Sequence, residues 1–85
     1  MIPRPEIFER LSVLLRPFNR GEVEITLGTD IAADLNIDSV AVMDFVMEVE
    51  DHFDIEIPLN VLSEVRNMEE LVNVVEARTR RSEVA

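Results

Sequence analysis

The chain of 85 residues contains no cysteine, no lysine and one histidine. Without cysteine it can form no disulfide, no thiolate metal site and no cysteine nucleophile. Its only cations are eight arginines, set against eighteen acidic residues. Because binding to phosphate backbones needs a basic stripe, we expect no nucleic-acid partner.

Long hydrophobic runs are also absent. The longest is "VAVM" at 40–43, whereas a membrane span needs about 20 apolar residues. Charged residues, beginning with Arg4 and Glu6, interrupt the N-terminal segment, so no signal-peptide core is expected. Since 47% of the residues are hydrophobic, a compact core is expected. We therefore predict one soluble, cytoplasmic domain over residues 1–85, with no stable membrane insertion.

Negative charge is concentrated in the middle of the chain. Between Gly21 and Val65 there are twelve acidic residues and no Lys or Arg, a local charge of −12. This concentration of negative charge favours a partner with a basic surface, because attraction between opposite charges speeds the association of two proteins. It also predicts a fold that is destabilised by its own repulsion and stabilised by salt.

Hydrophobic periodicity predicts an all-α protein, a small antiparallel four-helix bundle with a short third helix. Pro17 and Pro58 interrupt the helical patterns, because proline is not accommodated in a helix interior. Residues 17–37 form a long loop between the first two helices. The predicted helices cover about 5–16, 39–53, 59–65 and 68–80.

Polar residues at the predicted helix ends supply caps. Thr29 or Asp30 would cap a short turn at "IAADL" in the long loop. Asn67 and Glu70 have the spacing of a capping box at the start of the last helix. Cations near a helix C-terminus are favourable, and Arg78, Arg80 and Arg81 are predicted to have this role.

An Asp-Ser pair begins the second predicted helix, within "LNIDSVAVMDF" at 35–45. Asp38 is predicted to cap the helix, with Ser39 at the first helical position and its hydroxyl pointing outward. A hydrolytic role for Ser39 is excluded, because the candidate base, His52, lies on the same predicted helix. With a rise of about 1.5 Å per residue, the two residues are roughly 20 Å apart. Two interpretations remain open from these residues alone. The pair simply starts a helix, or Ser39 carries a phosphate, which free helix amides would stabilise.

The acidic residues do not form a recognisable metal-binding motif. "DHFDIEIPLNVL" lacks the central Gly and the closing Glu of an EF-hand loop. We predict no dedicated metal site, and at most loose binding of divalent cations.

The segments "DLNIDSVAVMDFVMEVEDHFDIEIP" and, more weakly, "LNVLSEVRNMEELVNVVEA" resemble the acyl carrier proteins, over residues 34 to about 77. The resemblance implies that a phosphopantetheinyl transferase moves 4′-phosphopantetheine from coenzyme A to Ser39, with Asp38 contributing to recognition by the transferase. The thiol of this arm would carry acyl groups as thioesters between enzymes of lipid, fatty acid or polyketide-type biosynthesis. The protein would then be a monomeric carrier and not an enzyme.

The resemblance also implies two functional surfaces. The second helix would be a recognition helix, read by basic patches on acyl-transferring or acyl-modifying enzymes. Its partner-binding residues would be Val40, Asp44, Met47, Glu48, Asp51 and Glu56. An acyl slot between the second and third helices would be lined by Ile31, Val49, Ile57, Leu62 and Val65, all of which also suit an ordinary core.

Two departures from the family pattern lie beside the Asp-Ser pair. Asn36 replaces the usual Gly, but Asn tolerates the left-handed conformation, so the loop can still turn. Val40 replaces the usual Leu. These departures leave open a carrier-like interaction module that is never modified and docks to a basic partner. A peptidyl or D-alanyl carrier is a further alternative, although the acidity of the second helix favours an acyl carrier.

Overall fold

The computed structural model describes the backbone of residues 2–83 and the side chains of residues 2–79. Over this part of the chain the protein is all-α, without a β-strand, and it has no helix both long and apolar enough to cross a membrane. The side chains of Arg80 and Arg81, predicted to complement the last helix, lie outside the described residues. The helices are α1 (Arg4–Leu15), α2 (Ile31–Leu35), α3 (Ser39–Phe53), α4 (Leu59–Leu62) and α5 (Met68–Glu83), with a 3₁₀ turn at Arg16–Phe18.

The helix boundaries largely follow the sequence pattern. α3 has the predicted bounds, and α1 is displaced by one residue at each end. Pro17 falls in the 3₁₀ turn that follows α1, where it ends the regular α-helical hydrogen bonding. α5 continues past the predicted end at 80 to Glu83, because no Gly or Pro interrupts it.

The predicted third helix, 59–65, is too long. α4 ends at Leu62, and the amides of Glu64 and Val65 donate to the carbonyls of Val61 and Leu62, at 3.1 and 3.0 Å. These bonds span three residues, as in a tight turn, and not the four of an α-helix. Ser63 Oγ also donates to the Asn60 carbonyl at 2.9 Å, so a side chain competes with the helix for its backbone.

The core lies where α1 contacts both α3 and α5. Phe45 of α3 is 1% exposed, and its ring meets that of Phe18 edge-on, with centroids 6.0 Å apart. Full burial of an aromatic or aliphatic side chain of this kind stabilises a fold by about 1.5–3 kcal/mol, so these contacts fix the position of α3. The buried apolar residues are Ile7, Leu11, Leu15, Ile31, Leu35, Phe45, Val46, Val49, Phe53, Ile57, Met68, Leu71, Val72 and Val75.

Hydrogen bonds hold the C-terminal end of the long loop, beside α2. Asp30 caps α2, its Oδ1 accepting the Ala33 amide at 2.9 Å, while Asp34 Oδ2 accepts the Asp30 amide at 2.8 Å. Of the two predicted caps, Asp30 is therefore the one used, and Thr29 is buried instead. The Thr29 carbonyl accepts the Met68 amide at 3.1 Å, which joins the loop to the start of α5.

Asn67 caps α5 as predicted, its Oδ1 accepting the Glu70 amide at 2.9 Å. The second half of the predicted capping box differs. Glu70 Oε1 accepts the amide of Arg66 at 3.1 Å, one residue before the cap, and not the amide of Asn67. Asn67 also forms an isolated antiparallel bridge with Asp30, so the caps of α2 and α5 lie side by side.

Candidate functional site

The turn that leads into α3 depends on a left-handed residue. α2 ends at Leu35, and Asn36 follows with φ 53° and ψ 47°. The next amide, that of Ile37, donates to the Ala32 carbonyl at 3.1 Å, and the Asn36 amide donates to the carbonyls of Ala32 and Ala33. These bonds satisfy acceptors at the helix end. Asn36 thus adopts the conformation for which glycine is the easier choice, and α3 begins shortly afterwards.

Asp38 holds the first turn of α3. Its backbone is extended, with φ −84° and ψ 176°, and its Oδ1 accepts the amide of Ala41 at 2.9 Å. Its carbonyl accepts the Val42 amide at 3.0 Å. The amides of Ser39 and Val40 have no hydrogen-bond acceptor among the described residues. This end of the helix therefore carries two free donors and the positive end of the helix dipole.

Ser39, the first residue of α3, is exposed, and no hydrogen bond holds its hydroxyl within the described part of the chain. The other described serines differ. Ser12 Oγ donates to the Phe8 carbonyl at 2.9 Å, and Ser63 Oγ donates to the Asn60 carbonyl at 2.9 Å. The side chain of Ser82 lies outside the described residues. Ser39 is thus the described serine that presents a free hydroxyl beside free amides.

His52 does not act on Ser39. It lies near the C-terminal end of α3, whereas Ser39 begins the helix. The ring of His52 is exposed and meets Phe53 edge-on, with centroids 4.9 Å apart. Because a general base must lie within hydrogen-bond reach of its nucleophile, this pair cannot perform nucleophilic catalysis.

α3 exposes a stripe of apolar side chains next to carboxylates. Val40, Met43 and Met47 are 67%, 42% and 61% exposed. Residues separated by three and four positions lie on one side of a helix, so these three side chains form a single stripe. Met43 was absent from the predicted partner-binding residues, although its spacing from Val40 and Met47 already carried the signal. The carboxylates of Asp44, Glu48, Asp51 and Glu56 are exposed as well.

Glu50 differs from the other acidic residues of α3. It is partly buried, and its Oε2 accepts the amide of Ile57 at 2.8 Å. It therefore ties the segment after α3 back onto the helix and does not point freely into solvent. Asp54, with φ 55°, ends α3 in a left-handed conformation, and this residue, not Pro58 alone, reverses the chain.

The five residues predicted to line an acyl slot lie in the core or at its edge. Ile31, Val49 and Ile57 are 7%, 0% and 6% exposed. Leu62 and Val65 are partly buried and pack against the core. In this conformation all five make ordinary core contacts.

A phosphate ester on Ser39 fits the residues present. The hydroxyl is exposed, and the neighbouring amides of Ser39 and Val40 are free to donate. An anion at the N-terminus of a helix is stabilised by such donors and by the helix dipole.

Comparison with known proteins identifies the class to which the chain belongs. Residues 12–75 match the family described as "Phosphopantetheine attachment site", and this range includes α2, α3 and α4. The fold and the site thus define a carrier that depends on 4′-phosphopantetheine.

Three similar proteins illustrate the relationship. A probable acyl carrier protein of Caulobacter vibrioides is 42% identical over 59 residues, 68% of this chain and 69% of the relative. An acyl carrier protein of Coprothermobacter proteolyticus is 31% identical over 75 residues, 87% and 92% of the two chains. One of Borrelia garinii subsp. bavariensis is 31% identical over 74 residues, 86% and 92%. The chain belongs to the acyl carrier protein family. Its cofactor is 4′-phosphopantetheine, and it is a carrier and not an enzyme.

Proposed function

We propose that Ser39 is the residue to which 4′-phosphopantetheine is attached. The observation that supports this most strongly is the exposed, unbonded hydroxyl at the first position of α3. The hydroxyls of Ser12 and Ser63 are each bonded to a backbone carbonyl. When bound, the group would supply the thiol on which acyl groups are carried as thioesters, a function that a chain without cysteine cannot supply itself.

Asp38 and the first turn of α3 would prepare Ser39 for this role. By accepting the Ala41 amide, Asp38 fixes the start of the helix, and with it the direction of the Ser39 side chain. The free amides of Ser39 and Val40 would donate to phosphate oxygens. Asp38 is itself exposed, so its carboxylate is also accessible to an arginine or lysine of the transferase.

The exposed side of α3 would be the docking surface for the transferase and for acyl-handling enzymes with basic patches. Its apolar stripe of Val40, Met43 and Met47 offers contact area, and the neighbouring carboxylates of Asp44, Glu48, Asp51 and Glu56 offer charge. Attraction between opposite charges raises association rates without requiring a tight complex. A carrier that visits several enzymes in turn needs this combination.

Several finer features complete the proposal. We interpret α1, α3, α4 and α5 as the antiparallel four-helix bundle of the family, with α2 as an additional turn in the long connection. Ile31, Val49, Ile57, Leu62 and Val65 would separate to admit an acyl chain. The cargo would belong to lipid, fatty acid or polyketide-type biosynthesis. A monomeric state and a cytoplasmic location stay predictions from the sequence.

The test is intact-protein mass spectrometry after incubation with coenzyme A and a promiscuous phosphopantetheinyl transferase. The wild-type chain should gain the mass of one phosphopantetheine, and Ser39→Ala should gain nothing. Ser63→Ala is the matched control, because it removes another exposed serine, and it should be modified like the wild type. An unmodified wild type, or a modified Ser39→Ala, would reject Ser39 as the attachment residue.

A further inference from the structure

A cleft lies beside the proposed attachment residue, between the 3₁₀ turn that follows α1 and the first turns of α3. Pro17 and Phe18 line one part of it, and Asp38 and Asp44 line another. Arg20 is the basic residue of this lining. Ser39 itself does not line the cleft, but Asp38, which does, directly precedes it in the chain. The phosphate would therefore be attached one residue away from the lining.

Arg20 has no ionic partner in the described part of the chain. It is exposed, and no described carboxylate lies within 4.0 Å of its guanidinium. Arg4 pairs with Glu76 at 3.0 Å and Arg10 with Glu6 at 2.7 Å, whereas Arg16 and Arg66 share with Arg20 the lack of an ion pair among the described residues. Arg20 thus keeps its guanidinium donors free although two carboxylates line the same cleft.

The charge around Ser39 makes this arginine significant. Arg20 is the last cation before the segment from Gly21 to Val65, which has a charge of −12. A phosphodiester carries a further negative charge into that field. Like charges repel one another, and the repulsion increases as their separation decreases. A nearby cation would offset this repulsion.

We propose that Arg20 is a positioning residue that pairs with the phosphate carried by Ser39. This inference rests on the proposed function of Ser39. A guanidinium suits the role, because its fork of donors matches two phosphate oxygens. Arg20 would complement the amides of Ser39 and Val40, and the pairing would draw the first part of the arm toward the cleft, away from the apolar stripe of α3.

The experiment uses ³¹P NMR on the modified full-length chain, as wild type and as the Arg20→Ala, Arg20→Lys and Arg16→Ala variants. Arg16 is the matched control, because it is an exposed arginine of the preceding 3₁₀ turn and does not line the cleft. The phosphodiester resonance of Arg20→Ala should shift from the wild-type position and lose its sensitivity to salt. Arg20→Lys should keep part of the effect, and Arg16→Ala should match the wild type. The side-chain Nε–H signal of Arg20 should also move when the wild-type chain is modified.

The outcomes separate this inference from the proposed function. If all four proteins gain the mass of phosphopantetheine but have the same phosphorus resonance, Arg20 does not contact the phosphate and the inference is overturned. The assignment of Ser39 as the attachment residue is not affected by that result. If the transfer rate alone falls, by two- to fivefold in Arg20→Ala relative to Arg16→Ala, Arg20 contacts coenzyme A or the transferase, and the inference is likewise overturned. If the wild type gains no mass, the proposed function fails first.

Discussion

Glu50 offers the sharpest test of how the acidic helix is held together. Its Oε2 accepts the Ile57 amide at 2.8 Å, across the chain reversal that ends α3. Glu50→Ala removes the acceptor and leaves this part-buried amide without a partner. Glu50→Gln keeps an oxygen acceptor and removes the charge. The two substitutions therefore separate the hydrogen bond from the electrostatic repulsion.

The expected loss of stability in Glu50→Ala is the difference between two opposing effects. A hydrogen bond to a charged group contributes about 1.5–3 kcal/mol to stability. Asp54 lies four residues after Glu50, and removing a like-charged pair at this spacing returns about 0.2–0.5 kcal/mol. We expect Glu50→Ala to lower the free energy of unfolding by about 1–2.5 kcal/mol, or Tm by about 4–20 °C for a domain of this size. Glu50→Gln should lose less, because an amide oxygen still accepts the bond.

Thermal and urea unfolding, followed by circular dichroism, measure this loss. Glu48→Ala is the matched control, because Glu48 is an exposed acid of the same helix with no hydrogen bond among the described residues. It should be as stable as the wild type or slightly more so, since it relieves repulsion. If Glu50→Ala is no less stable than Glu48→Ala, the contact with Ile57 does not stabilise the fold and the argument is wrong.

Three further predictions concern the turn, the charge and the docking surface. Position 36 has a left-handed backbone. Asn36→Gly should therefore leave Tm nearly unchanged, whereas Asn36→Ala should lower the free energy of unfolding by about 1 kcal/mol. Equal Tm values for the two variants would contradict this. Raising NaCl from about 0.01 to 0.15 M shortens the Debye length from roughly 30 to 8 Å and should raise Tm, so indifference to salt would refute the self-repulsion of residues 21–65. The side chains of Val40 and Met47 are 67% and 61% exposed. Val40→Ala and Met47→Ala should therefore change the free energy of unfolding by about 0.5 kcal/mol or less. Both variants should nevertheless be modified more slowly by the transferase. Val13→Ala, 47% exposed on α1, should not slow it, and an equal loss in all three variants would argue against docking on α3.

The parts of the fold that could be predicted are those determined by local pattern. The three-and-four spacing of Val42, Phe45, Val46, Val49 and Phe53 predicts the buried side of α3. The last four residues are buried, and Val42 is partly buried against the core. Asp38 marks the start of that helix because its side chain acts on an amide only three residues away. The caps at Asp30 and Asn67 were predictable for the same reason.

The parts that could not be predicted depend on the path of the chain between elements. The role of Glu50 could not be predicted, because its contact with Ile57 exists only once Asp54 has reversed the backbone. The early end of α4 reflects a balance between two hydrogen-bonding patterns that its sequence does not decide. The cleft that places Arg20 near Asp38 joins residues from opposite ends of the long connection, and no local pattern indicates such a proximity.

The most direct measurement is fragment-ion mass spectrometry on the protein purified from its native cell. It reports both whether the chain is modified and which of its four serines carries the group. We predict one phosphopantetheine, located on Ser39. A chain that is unmodified in the cell, or one modified at Ser12, Ser63 or Ser82, would contradict the central claim.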